Sequence, residues 1–221
     1  MTPVAHHLTV PRTARYLTLG EVEAAAEVWF LLHGYSMLAR GILDWFEPAV
    51  RPGRLLVAPE GLSRAYFEQH GMRRVGASWM TKEDREVEIE DYVRYLDLVA
   101  DRTLAAMDER PKVEVHGFSQ GTATASRWVT LGRHRVDRLV LWGGGVPPDL
   151  DLSRFRSAVG AAPLVLVVGA RDRYVEARDL ERDIERLEAA GVPFELRRPD
   201  AGHRVTAEAL RELDPTTDPE A

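Results

Sequence analysis

The stretch Val113-Glu114-Val115-His116-Gly117-Phe118-Ser119-Gln120-Gly121 joins a short apolar run to an Ala- and Thr-rich segment, and it contains the pattern Gly-x-Ser-x-Gly. A serine on a tight strand-to-helix turn has a strained backbone. Small residues two positions to either side let the strand and the helix approach each other closely. The hydroxyl then projects beyond the strand, above the N-terminus of the helix. The placement of the pattern, before a helix that starts at Gln120, favours Ser119 as a nucleophile over a chance match in a glycine-containing turn.

The rest of the chain alternates short apolar runs with helical patterns. Buried strands are predicted at 28–32, 55–58, 113–115, 139–142 and 164–168, with a weaker last strand at 194–197. Continuous apolar strands are typical of parallel sheets that helices cover on both faces. Segments 8–10 and 16–19 are predicted to add an antiparallel hairpin at one edge.

Helices are predicted at 38–50, 82–107, 120–131, 177–190 and 206–213. The segment 82–107 has the clearest apolar stripe, with Thr81 and Asp84 as a capping pair at its start. The alternation of strands and helices predicts one domain over residues 1–213. Its fold class is α/β, with a doubly wound, mostly parallel sheet. Residues 214–221 read as a flexible tail, and the short segment between Trp142 and Pro163 leaves no room for a large lid.

Composition excludes several classes of protein. The 221-residue chain has 45% hydrophobic and 29% charged residues, which is ordinary for a globular domain. It has no cysteine, so it has neither a disulfide nor a cysteine nucleophile. A net charge of −6 without a basic stripe argues against nucleic acid as a partner. The sequence shows no signal peptide and no stretch for stable membrane insertion, so a cytoplasmic location is the expectation.

Ligands of doubly wound sheets bind beyond the carboxyl ends of the strands, so the residues that follow each strand decide the chemistry. Asp172 follows the run 164–168, and taken alone it is an ordinary turn aspartate. His203 follows the last strand, after Gly202. The order Ser119, Asp172, His203 is the Ser…Asp…His order of α/β-hydrolases. Together these positions predict a nucleophile, a general base at His203 and an Asp172 that orients that base.

An acyl-transfer site needs two N–H groups that hold the oxyanion of the tetrahedral intermediate. One is expected from the backbone of Gln120, the residue after the nucleophile. The other is expected from the loop after the first buried strand, where the main chain of Tyr35 is our candidate. The plainer interpretation is that His33 and Gly34 merely turn the chain, and both can hold.

Five segments resemble the phospholipase/carboxylesterase family, which includes acyl-protein thioesterase-like enzymes and small bacterial carboxylesterases. They are Leu31-Leu32-His33-Gly34, Ala58-Pro59-Glu60-Gly61, Gly117-Phe118-Ser119-Gln120-Gly121, Gly169-x-x-Asp172-x-x-Val175 and Gly202-His203-x-Val205. The resemblance spans about residues 28–210. It implies a serine carboxylic ester hydrolase with a small-molecule ester as substrate. It also implies the triad and oxyanion residues named above, with no metal or organic cofactor.

Two positions depart from this family. Thr122 stands where the family usually has a second glycine after the pentapeptide. Ser36 and Met37 stand where the family's first loop typically reads His-Gly-x-Gly-Asp. The second departure concerns the shape of the loop and the specificity of the acyl pocket, while the chemistry itself is unaffected.

Other side chains invite a functional interpretation. Trp79, Met80 and Trp142 are predicted to line the substrate pocket near the strand ends, although Trp142 fits the core equally well. His116 is expected to be a packed, hydrogen-bonded histidine, and a second base is the weaker interpretation. The adjacent His6 and His7 are not expected to bind a metal, because neighbours on a strand point to opposite faces.

Three other functions remain open on the sequence alone. The same triad serves hydrolases of thioesters, peptides or activated lactones. A catalytically silent hydrolase fold that only binds a ligand is a second alternative, although it has no need of all three triad residues. A flavodoxin-like phosphate binder is the third, and residues 33–37 make a poor phosphate loop for it. The sequence also leaves a homodimer open.

Overall fold

A computed structural model describes residues 2–23, 25–69 and 71–214. The strands in chain order are β1 (Tyr16–Leu19), β2 (Glu27–Leu32), β3 (Arg54–Pro59), β4 (Ser63–Gln69), β5 (Met72–Ser78), β6 (Lys112–Phe118), β7 (Arg138–Trp142), β8 (Leu164–Val167) and β9 (Phe194–Arg197). Seven of them form the main sheet in the spatial order β1-β3-β2-β6-β7-β8-β9, and β4 pairs with β5 in a separate hairpin. Every neighbouring pair in the main sheet is parallel except β1 and β3. The predicted mostly parallel sheet is thus confirmed.

The helices are α1 (Ala39–Phe46), α2 (Arg85–Leu104), α3 (Gln120–Leu131), α4 (Leu152–Val159), α5 (Ala177–Ala189) and α6 (Ala207–Leu213). Each predicted helix is present within a few residues of its predicted bounds. The helix predicted over 38–50 ends at Phe46 and continues as the 3₁₀ turn Glu47–Ala49. Pro48 in this turn has no N–H for a further α-helical hydrogen bond. The connection from β7 to β8 contains only α4, which agrees with the predicted absence of a large lid.

The alternating side chains of each central strand divide the core into two layers. On β2, Val28, Phe30 and Leu32 belong to one apolar cluster, and Trp29 and Leu31 belong to the other. This division follows from the period of two along a strand. Both layers are buried because helices cover both faces of the sheet, as continuous apolar strands require.

Two local predictions differ from the structure. Strand β1 pairs with β3 in the register Tyr16↔Pro59, whereas residues 8–10 form no strand. Leu8 remains 86% exposed, so segment 8–10 buries nothing that would favour pairing. The predicted capping pair is also wrong. Asp84 makes no side-chain cap and contacts His7 at 3.3 Å, and the carboxylate of Glu88 accepts the Thr81 N–H at 2.5 Å.

A cluster of buried charges holds the amino edge of the sheet. The guanidinium of Arg54 is 1% exposed and lies 3.8 Å from the ring centroid of Trp29. It donates to Glu27 at 2.8 Å, to the carbonyl of Ala49 at 2.9 Å and to Asp214. Asp214, which the sequence assigns to the tail, is therefore bound to the sheet, while residues 215–221 lie outside the described residues. No helix in the described ranges is both long and apolar enough to cross a membrane.

Candidate active site

Ser119 lies on a sharp turn between β6 and α3. Its backbone has φ 52° and ψ −115°, a left-handed conformation that is strained for a residue with a side chain. The two flanking glycines permit this turn: a Cβ on Gly117 would clash with the carbonyl of Gly121, and a Cβ on Gly121 would clash with that of Leu32. The Ser119 N–H is bound to the carbonyl of Trp142 at 2.9 Å. These contacts place the serine at the carboxyl edge of the sheet.

Asp172 and His203 meet at the same edge, after β8 and β9. Nδ1 of His203 lies 2.8 Å from Oδ2 of Asp172. The other carboxylate oxygen, Oδ1, accepts the N–H groups of Tyr174 at 2.8 Å and Val175 at 3.3 Å. The Asp172 side chain is buried, and the imidazole is mostly buried. An ionised carboxylate accepts these three bonds, and the imidazole donates one of them from Nδ1.

Three residues lie close to the imidazole of His203. The ring of Phe118 lies 4.8 Å from it and the ring of Tyr174 lies 4.7 Å from it, centroid to centroid. A Cβ on Gly143 would be 3.0 Å from its Nδ1 and Cε1. Ser119 is connected to two of these neighbours. It follows Phe118 in the chain, and its N–H is bound to the carbonyl of Trp142, the residue before Gly143. Its hydroxyl makes no hydrogen bond within the described part of the chain.

The first loop, residues 33–37, is held in place by a buried histidine. Nε2 of His33 accepts the N–H of Gly61 at 2.9 Å, so Nδ1 carries the proton that is donated to the Gly34 carbonyl at 2.8 Å. The indole of Trp79 stacks on this imidazole at 4.9 Å and donates to the His33 carbonyl at 2.8 Å. Burial lowers the pKa of His33 to about 4, so the ring is neutral at pH 7.

The first loop lies directly beside Ser119. A Cβ on Gly34 would be 3.2 Å from Cβ of Ser119. Among the described residues, the backbone N–H groups of Tyr35 and Gln120 have no hydrogen-bond partner. Two unbound N–H groups beside a serine can donate hydrogen bonds to a negatively charged oxygen.

The hairpin of β4 and β5 supports the other side of the first loop. Ser36 donates its N–H to the carbonyl of Ala77 at 2.9 Å, and Ala77 donates its N–H to the carbonyl of Met37 at 3.0 Å. Gly76 is required here because a Cβ would clash with the Ser36 carbonyl. Ser36 itself has φ 61°, a conformation that glycine adopts without strain. The departure from the family's loop is thus accommodated as a left-handed serine held by this hairpin.

Two side chains beside Ser119 have contacts that the sequence did not reveal. Gln120 accepts the N–H of Trp79 at 3.1 Å and donates to the carbonyl of Met80 at 2.9 Å, so its amide ties α3 to the end of β5. Thr122, which stands where the resembled family usually has glycine, donates its hydroxyl to the Ser119 carbonyl at 2.8 Å. The residue types alone carry no signal for these contacts, since they depend on which loops meet.

The three predicted pocket residues do not lie together on an exposed surface. Trp79 and Trp142 are buried, Trp79 against His33 and Trp142 in the core. Met80 is partly buried and packs against the core layer that contains Trp79. The burial of both indoles does not favour their predicted contact with a substrate.

His116 is a packed core histidine, as the sequence favours. Its Nδ1 accepts the indole N–H of Trp142 at 3.2 Å, and its Nε2 lies 3.4 Å from Glu114. Its ring stacks on Trp29 at 4.4 Å. Burial lowers the pKa of His116, so it is a neutral residue beneath the site rather than a second base within it.

The sheet order, the crossovers and the serine turn define the α/β-hydrolase fold. No family model matches the sequence, and no curated protein matches it. Solved structures do match. Acyl-protein thioesterase 2 of Zea mays aligns with a TM-score of 0.66 at 18% identity, over 91% of this chain and 96% of that one.

Two bacterial structures give the same result. A phospholipase/carboxylesterase from Dyadobacter fermentans aligns with a TM-score of 0.66 at 15% identity, over 95% of this chain and 98% of that one. The carboxylesterase of Bacillus cereus aligns with a TM-score of 0.63 at 16% identity, over 93% and 95%. At these identities the likeness shows a shared fold over nearly the whole of each chain.

Proposed function

We propose that this protein is a serine hydrolase that cleaves carboxylic esters through an acyl-enzyme on Ser119. The observation that carries the proposal is the 2.8 Å contact between His203 and the buried Asp172, at the sheet edge where Ser119 occupies its strained turn. A carboxylate that binds Nδ1 of a histidine beside an activated serine is the arrangement of the Ser-His-Asp triad. The fold of known esterases and thioesterases adds support.

The reaction begins with proton transfer from Ser119 to His203. Because Nδ1 is bound to Asp172, Nε2 is the ring nitrogen that takes the hydroxyl proton. Oγ of Ser119 then forms a bond to the ester carbonyl carbon. The serine and the imidazole are not hydrogen-bonded before substrate binds, and such bonds often tighten only in the substrate complex.

The negative oxygen of the tetrahedral intermediate is held by the N–H groups of Tyr35 and Gln120. Collapse of the intermediate breaks the bond to the alcohol, which takes the proton back from Nε2 of His203. Water repeats the sequence on the acyl-enzyme and releases the acid. Asp172 stabilises the imidazolium that forms in each half of the reaction.

Cleavage of thioesters is the second candidate function. One neighbour in fold is an acyl-protein thioesterase, and the same three residues attack a thioester carbonyl. A matched pair of substrates, a p-nitrophenyl ester and a thiol ester of the same butyryl group, compares the two activities on one acyl chain.

Labelling with a fluorophosphonate, followed by peptide mapping, tests the proposal. We expect one adduct, on Ser119, and we expect Ser119→Ala to lose both the adduct and at least about 10³-fold of ester turnover. Ser157→Ala, which removes an exposed hydroxyl on α4, is the matched control and should retain both. If Ser119→Ala hydrolyses the ester as fast as the wild type, the serine has no catalytic role. A folded protein without any adduct would favour the silent binding protein.

A further inference from the structure

Tyr174 is an exposed aromatic residue that nevertheless lies against the imidazole of His203. Its side chain is 81% exposed, yet its ring centroid is 4.7 Å from that of the imidazole at an interplanar angle of 40°. A second neighbour of His203 is the buried Phe118, whose ring lies at 4.8 Å. The imidazole therefore contacts one ring that is buried in the core and one ring at the surface.

One hydrogen bond does not fix the plane of the imidazole. The bond from Nδ1 to Asp172 fixes one atom of the ring, but it leaves the ring free to rock about the N–H···O direction. The hydroxyl of Ser119 supplies no second bond in the described structure. The contacts with Phe118, Gly143 and Tyr174 must therefore hold the ring plane, and Tyr174 is the one of the three that lies at the surface.

The backbone of Tyr174 is bound to the same carboxylate that holds the imidazole. Its N–H donates to Oδ1 of Asp172 at 2.8 Å, while His203 contacts Oδ2. The turn 172–174 thus places the tyrosine ring and the orienting carboxylate as one unit. This backbone bond fixes the Cα of Tyr174 near the carboxylate, and the 4.7 Å ring contact shows the rotamer that lies against the imidazole.

We propose that Tyr174 is a positioning residue of the hydrolase site: its ring closes the outer side of His203, holds the imidazole plane toward Ser119 and excludes water from it. The inference rests on the proposed function. Tyr174 acts through His203 and takes no proton itself.

Three substitutions separate the ring from the hydroxyl and from bulk. Tyr174→Phe keeps the ring, Tyr174→Leu keeps apolar bulk, and Tyr174→Ala removes both. We expect kcat of Tyr174→Ala to fall about three- to tenfold, the range for loss of one aromatic contact, with KM within about twofold. Tyr174→Phe should keep the wild-type kcat, and Tyr174→Leu should lie between. The control Leu98→Ala, which removes an exposed apolar side chain on α2, should leave kcat unchanged.

A second measurement does not depend on turnover. In ¹⁵N-histidine NMR spectra, the Nδ1 proton of His203 should exchange with water faster in Tyr174→Ala than in the wild type, and at the wild-type rate in Tyr174→Phe. If the wild-type protein hydrolyses no ester, the proposed function fails, but this exchange rate still tests whether Tyr174 holds the imidazole.

Three results would overturn the inference. The first is an unchanged kcat and an unchanged exchange rate in Tyr174→Ala. The second is a loss confined to KM, which would mark a substrate contact instead. The third is an equal loss in Tyr174→Phe and Tyr174→Ala, which would assign the effect to the hydroxyl.

Discussion

At the scale of single residues, the two oxygens of Asp172 have different partners. Oδ1 accepts two backbone N–H groups, from Tyr174 and Val175, and Oδ2 contacts His203. In an asparagine at this position the carbonyl oxygen must therefore take the place of Oδ1, since an NH₂ group cannot accept. The NH₂ group would then face Nδ1 of His203 and favour the wrong tautomer, with the proton on Nε2.

We accordingly expect Asp172→Asn to fold as the wild type does and to lose about 10⁴-fold in kcat, the loss known for this change of tautomer. Ester turnover and the unfolding transition in urea measure the two effects. The matched control is Asp200→Asn, at an exposed carboxylate that pairs with Arg171 at 3.0 Å, and its kcat should stay within about twofold. An active Asp172→Asn enzyme would contradict the orienting role.

The residues of the site differ in how far the sequence can predict them. Ser119, Asp172 and His203 each follow a strand, and parallel strands bring their carboxyl ends to one edge, so local pattern and order predict that they lie together. The amide of Gln120, the hydroxyl of Thr122 and the ring of Tyr174 act through contacts between different loops. Loop conformation is not encoded in hydrophobic periodicity. For the same reason the sequence predicted Trp79 in the substrate pocket and left Trp142 open between the pocket and the core, whereas both are buried.

At the scale of elements, the sequence predicted neither helix α4 nor the hairpin of β4 and β5. The strands of the hairpin carry charged and exposed residues, so they lack the alternation that marks a half-buried strand. The hairpin nevertheless holds the first loop through the two hydrogen bonds between Ala77 and residues 36–37. Substitutions at two glycines of the hairpin, Gly76 and Gly71, distinguish the stability of the hairpin itself from its support of the first loop.

We expect Gly76→Ala to lower kcat about tenfold or more, because the new Cβ would push the Ser36 carbonyl, and with it the N–H of Tyr35, out of place. Gly71→Ala is the matched control. Gly71 has φ 72° with nothing within 4 Å of a Cβ, so its substitution strains the turn by about 1 kcal/mol without reaching the first loop. Equal kcat values for the two variants would show that the hairpin does not support the oxyanion site.

At the scale of the whole molecule, buried neutral histidines link folding to pH. Burial lowers the pKa of His33 from 6.5 to about 4, and it also lowers that of His116. Between pH 6.5 and about pH 4 the unfolded chain binds more protons at His33 than the native one, so the free energy of unfolding falls as the pH falls. Glu114, with a pKa lowered to about 2, loses its contribution only below its usual value of 4.5.

From pH 7 to pH 5 we therefore expect the free energy of unfolding to fall by roughly 2 kcal/mol for His33 alone, at 1.36 kcal/mol for each pKa unit. Urea unfolding at a series of pH values measures this. His33→Gln should reduce the pH dependence by about one proton, whereas His6→Gln, at an exposed histidine, should leave it unchanged. A free energy of unfolding that is flat from pH 7 to pH 5 would contradict neutral burial of His33.

The order of strands and helices along the chain was predictable, but the contacts between its distant parts were not. Periodicity reports which face of a segment is buried, and it carries no information on which edge strand pairs with which neighbour. For this reason strand β1 was expected in a hairpin with residues 8–10, whereas it pairs with β3. The contact between Arg54 and Asp214, 160 residues apart, is a further example.

That contact also sets a condition on how the chain assembles during its synthesis. A ribosome that adds about 5–20 residues per second needs roughly 8–32 s to advance the 160 residues from Arg54 to Asp214. During that interval the guanidinium of Arg54 has Glu27 as an early partner but lacks its second carboxylate. The nascent β2–β3 pair therefore cannot complete its charge cluster until α6 has emerged, which makes docking of that helix a late step of folding.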